Sequence, residues 1–161
     1  MIIEEAIVKK AKVCMYLYFI MFVILVIIKF HGSFSDVQEI QRTIQWNRDL
    51  GILNMNLIPL RTITYQIENV DSEWAKINLL SNLFGFVPFG YLLPYIYPRF
   101  RNKVVLCSII MLLAVVFEMI QYIFMLGIFD IDDIIMYCVG AAIGYMMWQI
   151  HKLVKENEIT T

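Results

Sequence analysis

Residues 104–129 form an apolar stretch that is long enough to cross a lipid bilayer, and this stretch contains one acidic residue, Glu118. An α-helix rises about 1.5 Å per residue, so about 20 apolar residues span the hydrocarbon of a membrane. A carboxylate at that depth costs roughly 3 kcal/mol on insertion scales and usually faces a bundle interior or a polar cavity. The sequence therefore predicts a buried polar partner or a ligand for Glu118.

The composition of the chain is that of a single-domain integral membrane protein. Its 161 residues are 60% hydrophobic with a mean hydropathy of +0.69, whereas soluble domains are only about half apolar. The formal net charge of −1 provides no basic field, so nucleic acid is not expected as a partner. Cys14, Cys107 and Cys138 lie in apolar runs, and we interpret them as small buried hydrophobic residues that form no disulfide.

Four apolar runs of near-membrane length predict an all-α fold with four transmembrane helices. The predicted spans are residues 13–30, 77–97, 104–128 and 131–150. They leave a flank at 1–12, a long segment at 31–76, a loop at 98–103, a turn at 129–130 and a tail at 151–161. Pro88 and Pro94 interrupt the backbone hydrogen bonds of the second span, which predicts a kinked or discontinuous helix.

The positive charges indicate how these spans are oriented. Lysine and arginine residues occur in the flank, the loop and the tail, which all fall on one side of a four-span protein. The turn between the third and fourth spans has none. The positive-inside rule therefore predicts that both termini are cytoplasmic and that the long segment and the turn are extracytoplasmic.

The long segment carries the pattern of an amphipathic helix. Val37, Ile40 and Ile44 recur at helical spacing with polar residues between them, which predicts a helix over about residues 36–49. Gly51 is expected to end it. The sequence leaves open whether this helix lies on the membrane surface or packs on the end of the bundle.

Polar side chains from three predicted spans fall at one depth, in the extracytoplasmic half of the membrane. The second span contributes Asn78 and Asn82, and the third contributes Glu118 and Gln121. The mouth of the fourth span carries three acids, Asp130, Asp132 and Asp133. Because residues three or four positions apart share a helix face, we expect these groups to converge.

Each of these features also has a purely structural explanation. Glu118 is explained equally by helix packing, paired with an amide or held protonated. The aspartates are explained as an interfacial turn and an N-cap for the fourth helix, or as a weak site for a divalent cation, the one cofactor that the sequence suggests. Gly140 and Gly144 form a G-x-x-x-G pattern, which allows close helix contact within the bundle or in a homodimer.

The order of several short motifs resembles the VanZ-like family. The motifs are Asn56-Leu-Ile-Pro-Leu60, Asn78-x-x-x-Asn82, Phe86-Val-Pro-Phe-Gly90, Glu118-x-x-Gln121, Phe129-Asp-Ile-Asp-Asp-Ile134 and Gly140-x-x-x-Gly144. That family consists of small bacterial membrane proteins named for a teicoplanin-resistance protein. The resemblance implies a cell-envelope protein of the plasma membrane that is associated with resistance to lipidated glycopeptides. The chain departs from the pattern at Tyr137, where the family usually has asparagine.

The leading functional hypothesis is recognition without catalysis. The polar layer would bind an amphiphile of the outer leaflet, namely a membrane lipid, a lipid-linked wall precursor or a lipoglycopeptide. Because acids repel a phosphate head, Arg61 or a divalent cation is expected to bridge it. The candidate ligand-binding residues are Asn56, Arg61, Asn78, Asn82, Glu118, Gln121, Asp130, Asp132 and Asp133. Helix packing is assigned to Pro88, Gly90, Gly140 and Gly144.

Two other functions stay open at the level of sequence. A hydrolase or transferase of lipid-linked envelope substrates would use Glu118 with the aspartates, directly or through a metal. The absence of a Ser/His/Asp set and of a phosphate-binding glycine loop argues against an enzyme. A proton-coupled transporter, or an accessory subunit of an envelope complex, would use Glu118 as the titrating group, and a transport path would need a dimer.

Overall fold

The computed structural model describes residues 2–28 and 34–160, and this part of the chain is almost entirely helical. Its α-helices are α1 (Ile2–Ile28), α2 (Phe34–Asp49), α3 (Arg61–Glu68), α4 (Glu73–Gly85), α5 (Val87–Ile96), α6 (Lys103–Ile123) and α7 (Ile131–Thr160). A 3-10 helix occupies Pro98–Arg101. Two short strands, β1 (Met55–Asn56) and β2 (Phe129–Asp130), pair in parallel.

Three helical stretches within the described residues are long and apolar enough to cross a membrane: Glu73–Ile96, Lys103–Ile123 and Ile131–Glu158. They correspond to the predicted second, third and fourth spans, so the chain has the helices of a membrane protein. The first predicted span, 13–30, coincides with α1 as far as Ile28, and its last two residues lie outside the described part. The four-span topology stays a prediction.

The second span is broken next to Pro88, as predicted, whereas Pro94 lies inside a continuous helix and does not interrupt it. Helix α4 ends at Gly85 and α5 begins at Val87, with Phe86 alone between them. Pro88 lies in the first turn of α5, where a missing N–H is least costly. The hydroxyl of Tyr18 in α1 donates to the Gly85 carbonyl at the break (2.8 Å). The first helix is thereby fastened to the discontinuity.

Helix α7 packs against both halves of the broken span through glycines. A Cβ atom at Gly140 would lie 1.9 Å from the Leu83 carbonyl oxygen, and one at Gly144 would lie 2.0 Å from that of Val87. Gly90 makes the reciprocal approach, because a Cβ there would lie 2.0 Å from a carbonyl oxygen of α7. Only glycine allows backbones this close. The G-x-x-x-G pattern is therefore a packing seam inside the bundle.

Aromatic rings fill the space between α1 and the spans. Phe22 meets Phe86, Phe89 and Phe117 edge to face at centroid distances of 5.3, 5.7 and 5.3 Å. Phe86 is fully buried and stacks on Tyr137 of α7 at 4.4 Å. This cluster joins α1, the broken span, α6 and α7 into one core.

Helix α2 lies across the C-terminal end of α6. The Gln41 side chain donates to the Phe124 carbonyl (3.0 Å), and Arg48 donates to the Tyr122 carbonyl (2.6 Å) with its guanidinium 4.7 Å from the centre of the Tyr122 ring. A cation at this position complements the negative end of the helix dipole. Of the two arrangements predicted for the amphipathic helix, these contacts support packing on the end of the bundle.

Helix α6 ends five residues before the predicted end of the third span. Met125 adopts a left-handed conformation (φ 55°), and the Leu126 amide donates to the Gln121 carbonyl (2.8 Å). This Schellman-type end satisfies the last carbonyls and turns the chain toward β2. The polar stripe of α6 therefore consists of Glu118 and Gln121 alone.

The two ends of the chain also differ from the prediction. Helix α1 begins at Ile2, inside the predicted flank, and α7 continues through the predicted tail to Thr160. The prediction that the cysteines are buried is wrong: Cys14 and Cys107 are exposed and Cys138 is only half-buried, because they lie on outward helix faces. All three are free thiols, as expected.

Candidate functional site

Of the predicted polar residues, Glu118, Asp130 and Asp132 meet at one end of the bundle, which we call the aspartate end. Glu118 is fully buried there (0% exposed). Its carboxylate accepts hydrogen bonds from the Asp130 backbone N–H (2.9 Å) and from the Tyr137 hydroxyl (3.3 Å). The acid within the apolar run thus faces protein donors and not lipid.

Asp130 is the centre of the hydrogen-bond network at this end. One of its oxygens accepts from the Asn56 side chain (3.0 Å) and from the Asp132 N–H (2.9 Å), and the other accepts from the Thr62 hydroxyl (2.5 Å). Asn56 also donates to the Thr62 hydroxyl (2.9 Å). Because Asp130 directly precedes α7 and binds the second N–H of that helix, it has the N-cap role that the sequence predicts.

Asp132 caps a helix other than its own. Its two oxygens accept from the backbone N–H groups of Leu60 (2.6 Å), Thr62 (2.7 Å) and Ile63 (3.2 Å), which lie at the start of α3. Leu60 precedes α3 in a left-handed conformation (φ 68°), and its own side chain has no group that could cap the helix. The distant carboxylate therefore satisfies amides that a helix start leaves unpaired, and it complements the helix dipole.

A short parallel pairing fixes the register between the two segments. Strand β1 pairs with β2, and the Phe129 N–H donates to the Asn54 carbonyl (3.0 Å). The Asn54 side chain donates in turn to the Ile44 carbonyl of α2 (3.3 Å). Two residues per strand are too few to be stable alone, so the buried acids beside them hold the pairing. We call the following set the latch: Asn56, Thr62, Glu118, Asp130 and Asp132.

Tyr137 has a place beside the latch that an asparagine would not fill in the same way. Its ring stacks on Phe86, its hydroxyl donates to Glu118, and the Gln121 side chain bonds the same hydroxyl. Asp133 lies near enough to interact electrostatically with that hydroxyl. Gln121 and Asp133 therefore share the layer of Glu118, as their helical phase predicts.

The other predicted site residues make different contacts. Asn82 is buried, and its amide donates to the side-chain oxygen of Asn78, one turn earlier in α4 (2.8 Å). Arg61 is exposed at the first position of α3. The asparagines thus bond along their own helix, and Arg61 is a surface residue directly beside the latch.

Two residues of this end were not found from the sequence. Thr62 joins Asn56 to Asp130, and Gln66 lies one turn further along α3. Gln66 is 0% exposed, and neither polar atom of its side chain has a hydrogen-bond partner among the described residues. The i, i+4 spacing of Thr62 and Gln66 was the available signal, because it places both on one face of a short helix.

The buried acids of this site hold the backbone in place. The oxygens of Glu118, Asp130 and Asp132 accept hydrogen bonds from the protein, and all three side chains are shielded from solvent. Among the described residues, no group of three or more His, Cys, Asp and Glu side chains is placed to hold a metal ion. The latch fixes the segment 54–63 on the bundle and thereby determines which of its side chains are exposed.

The sequence model of the VanZ/LLP1 family matches residues 14–152, which is most of the 161-residue chain. This chain belongs to the VanZ/LLP1 family. No curated protein and no solved structure matches it. The VanZ/LLP1 match runs from α1 into the second half of α7, so every residue of the latch lies within it.

The VanZ/LLP1 chain presents an apolar surface beside the latch. Leu57, Ile58 and Leu60 are 58%, 59% and 57% exposed, and they lead directly to the exposed Arg61. We call these three leucine and isoleucine residues the apolar rim. Apolar side chains beside a cation match the boundary between hydrocarbon and headgroups of a bilayer.

Proposed function

We propose that this VanZ/LLP1 protein binds an amphiphile of the outer leaflet, either a lipidated glycopeptide of the teicoplanin type or a lipid-linked wall precursor. The observation that carries the proposal is the exposed apolar rim next to the exposed guanidinium of Arg61. An acyl chain would lie along the rim, and an anionic group of the head would pair with Arg61. The proposal takes the aspartate end to be extracytoplasmic, as the distribution of lysine and arginine predicts.

The latch supports this proposal by holding the backbone on both sides of the cation. Asp132 accepts from the amides of Leu60 and Thr62, the residues that flank Arg61. Fixing these amides restricts the backbone at Arg61, so less backbone entropy is lost when a ligand is bound. Asp132 also occupies the first amides of α3, so the cation and not the helix terminus would attract the anion.

In this proposal the ligand contacts the rim, and the buried acids have a supporting role. Glu118, Asp130 and Asp132 lie behind the backbone that they bind and are at most 2% exposed. An anionic head at Arg61 would meet neutral backbone before it met these carboxylates. The repulsion expected from an open acidic pocket is thereby reduced.

The test is a binding measurement on the purified protein in lipid nanodiscs. Teicoplanin is compared with the same glycopeptide after removal of its acyl chain. We expect the acylated compound to bind at least about tenfold more tightly, because only it can cover the rim. Equal affinity for the two glycopeptides would overturn the proposal, and so would no binding of either together with no binding of a lipid-linked wall precursor in the same assay.

Matched variants separate the two parts of the surface. Leu57→Asn with Ile58→Asn should weaken binding of the acylated compound, whereas the same change at Leu50 and Leu53, which are also exposed, should not. Arg61→Gln should weaken binding, and Arg42→Gln, at an exposed position of α2, serves as its control. If the Leu57 and Ile58 variant and its control lose affinity equally, the rim has no specific role, and equal losses at Arg61 and Arg42 would mean the same for the cation.

A further inference from the structure

A groove of about 690 Å³ lies at the opposite end of the bundle, which we call the basic end. Helix α6 separates the two ends by its 21 residues, or roughly 30 Å. Three distant parts of the chain contribute cations to the groove: the start of α1, the 3-10 helix and the last third of α7. These cations are Lys9, Lys12, Arg101, Lys152 and Lys155.

Cations outnumber carboxylates among the described side chains that line this groove, and Lys155 also interacts with other groups of the protein. Among the described side chains, one carboxylate, Glu5, lines the groove with the five cations. Lys152 also pairs with Glu156 (3.5 Å), but both side chains are more than half exposed, so water screens the pair. Like charges gathered from separate elements repel one another, and a bound anion would offset that repulsion.

Two of the cations are held in place by aromatic and backbone groups. The ammonium of Lys12 lies 5.4 Å from the centre of the Tyr97 ring. Arg101 donates to the Pro94 carbonyl (3.4 Å), and its own carbonyl accepts from the Tyr145 hydroxyl (2.9 Å). The groove therefore has fixed walls and is not only a set of mobile surface lysines.

Apolar side chains form one wall of the groove, near the predicted end of the fourth span. Trp148 is buried in this wall, and Ile7 and Val8 of α1 line it as well. Tryptophan and tyrosine side chains prefer the depth of lipid headgroups, and basic pockets between helices at that depth suit anionic heads. A soluble anion would need the cations but not the apolar wall.

We propose that this groove binds the phosphate head of an anionic phospholipid from the leaflet at the basic end, with the acyl chains against the wall that contains Trp148. This site is separate from the apolar rim, and its occupancy does not depend on a ligand there. A phospholipid head and a soluble phosphate ester would both be bound through lysine and arginine. The apolar wall favours the lipid, because only the lipid has acyl chains that can cover it.

The test uses the full chain in nanodiscs that contain equal amounts of phosphatidylglycerol and phosphatidylcholine. After transfer to detergent, native mass spectrometry counts the lipids that remain bound. We expect one retained phosphatidylglycerol, enriched about tenfold over phosphatidylcholine. Equal retention of the two lipids would overturn the proposal, and this measurement needs no variant to fold.

Variants then locate the bound lipid. Lys9→Gln, Lys12→Gln and Lys152→Gln together should abolish the roughly tenfold enrichment, since each cation near an anionic surface contributes severalfold. A control removes the same charge at the same end but outside the groove: Lys10→Gln, Arg99→Gln and Lys103→Gln. If the control loses as much enrichment as the groove variant, the attraction is diffuse and the groove is not a site.

A third arm distinguishes the lipid from a soluble anion. Inorganic phosphate and glycerol phosphate are added at millimolar concentration to the protein with bound phosphatidylglycerol. We expect neither compound to displace the lipid. Displacement by glycerol phosphate at this concentration would assign the groove to a soluble phosphate ester and overturn the lipid proposal.

Discussion

Asp132 illustrates why a carboxylate can be fully buried at the aspartate end. Its two oxygens accept three backbone N–H groups that would otherwise be unpaired at the start of α3. Hydrogen bonds to a charged acceptor are stronger than those between neutral groups. These three bonds therefore offset the cost of removing both the carboxylate and the amides from water. The same logic applies to Glu118, which accepts the Asp130 amide at the end of β2.

Replacing Asp132 by asparagine should therefore loosen α3. The amide keeps one acceptor oxygen but turns an NH₂ group toward backbone donors, so we expect the free energy of unfolding to fall by about 2–3 kcal/mol. Reversible unfolding in detergent micelles measures the loss, and hydrogen exchange of residues 61–68 locates it. Asp71→Asn, at an exposed position of the same end, should change neither. An unchanged exchange rate in α3 would contradict the capping role.

Tyr137 offers a second prediction at this scale, because its ring and its hydroxyl can be removed separately. Tyr137→Phe keeps the stack on Phe86 and loses the bonds of the hydroxyl to Glu118 and Gln121, so a cost of about 1–2 kcal/mol is expected. Tyr137→Asn restores the usual family residue but leaves a cavity beside Phe86, and the expected cost is about 3–5 kcal/mol. Equal stability of the two variants would show that the stacked ring contributes nothing.

At the scale of elements, the contact between α7 and the broken span has almost no tolerance for added volume. Gly144→Ala would place a methyl group 2.0 Å from the Val87 carbonyl oxygen. Because this oxygen belongs to the backbone of a packed helix, it cannot easily move away. We expect a loss of about 2–3 kcal/mol in the free energy of unfolding and a shift of α5 away from α7. Ala142→Leu adds more volume on the exposed face of the same helix and should have little effect. If Gly144→Ala is as stable as the native protein, α7 does not pack closely on α5 at this residue.

The elements also show which parts of this structure can be predicted from sequence. The break at Phe86 follows from Pro88, and the seam follows from the spacing of Gly140 and Gly144, since both signals are local. Helix α3 was missed because its capping carboxylate is 72 residues away, at Asp132, and Leu60 carries no capping group. No local capping signal marks the start of such a helix.

The candidate site also has a part that residue spacing predicts and a part that it does not. The convergence of Glu118 with the aspartates follows from helix rise and phase, which depend only on residue spacing. Their partners do not follow from spacing, because Thr62 and the amides of α3 reach them only through the register of β1 on β2. Arg61 was predicted to bridge a phosphate head that the acids repel, and its exposed position became visible only with that register.

At the scale of the whole molecule, the three basic segments gather at one end. The groove at the basic end joins the start of α1, the 3-10 helix and the last third of α7. This arrangement agrees with the relative placement that the positive-inside rule needs, in which the first helix starts and the last helix ends on the same side. The side of the membrane that this end faces is a separate question, on which the proposed outer-leaflet function depends.

Cysteine labelling on intact cells answers that question. The three native cysteines are first replaced by alanine, and single cysteines are then introduced at Asp71, at Arg99 and at Glu5, which are exposed positions. We expect a membrane-impermeant maleimide to label position 71 in intact cells, and positions 99 and 5 only after permeabilisation, because lysine and arginine are retained in the cytoplasm. Labelling of positions 99 and 5, but not of position 71, in intact cells would invert the orientation and remove the apolar rim from the outer leaflet. Labelling of position 5 but not of position 99 would instead contradict four spans, since the structure places both positions at the basic end.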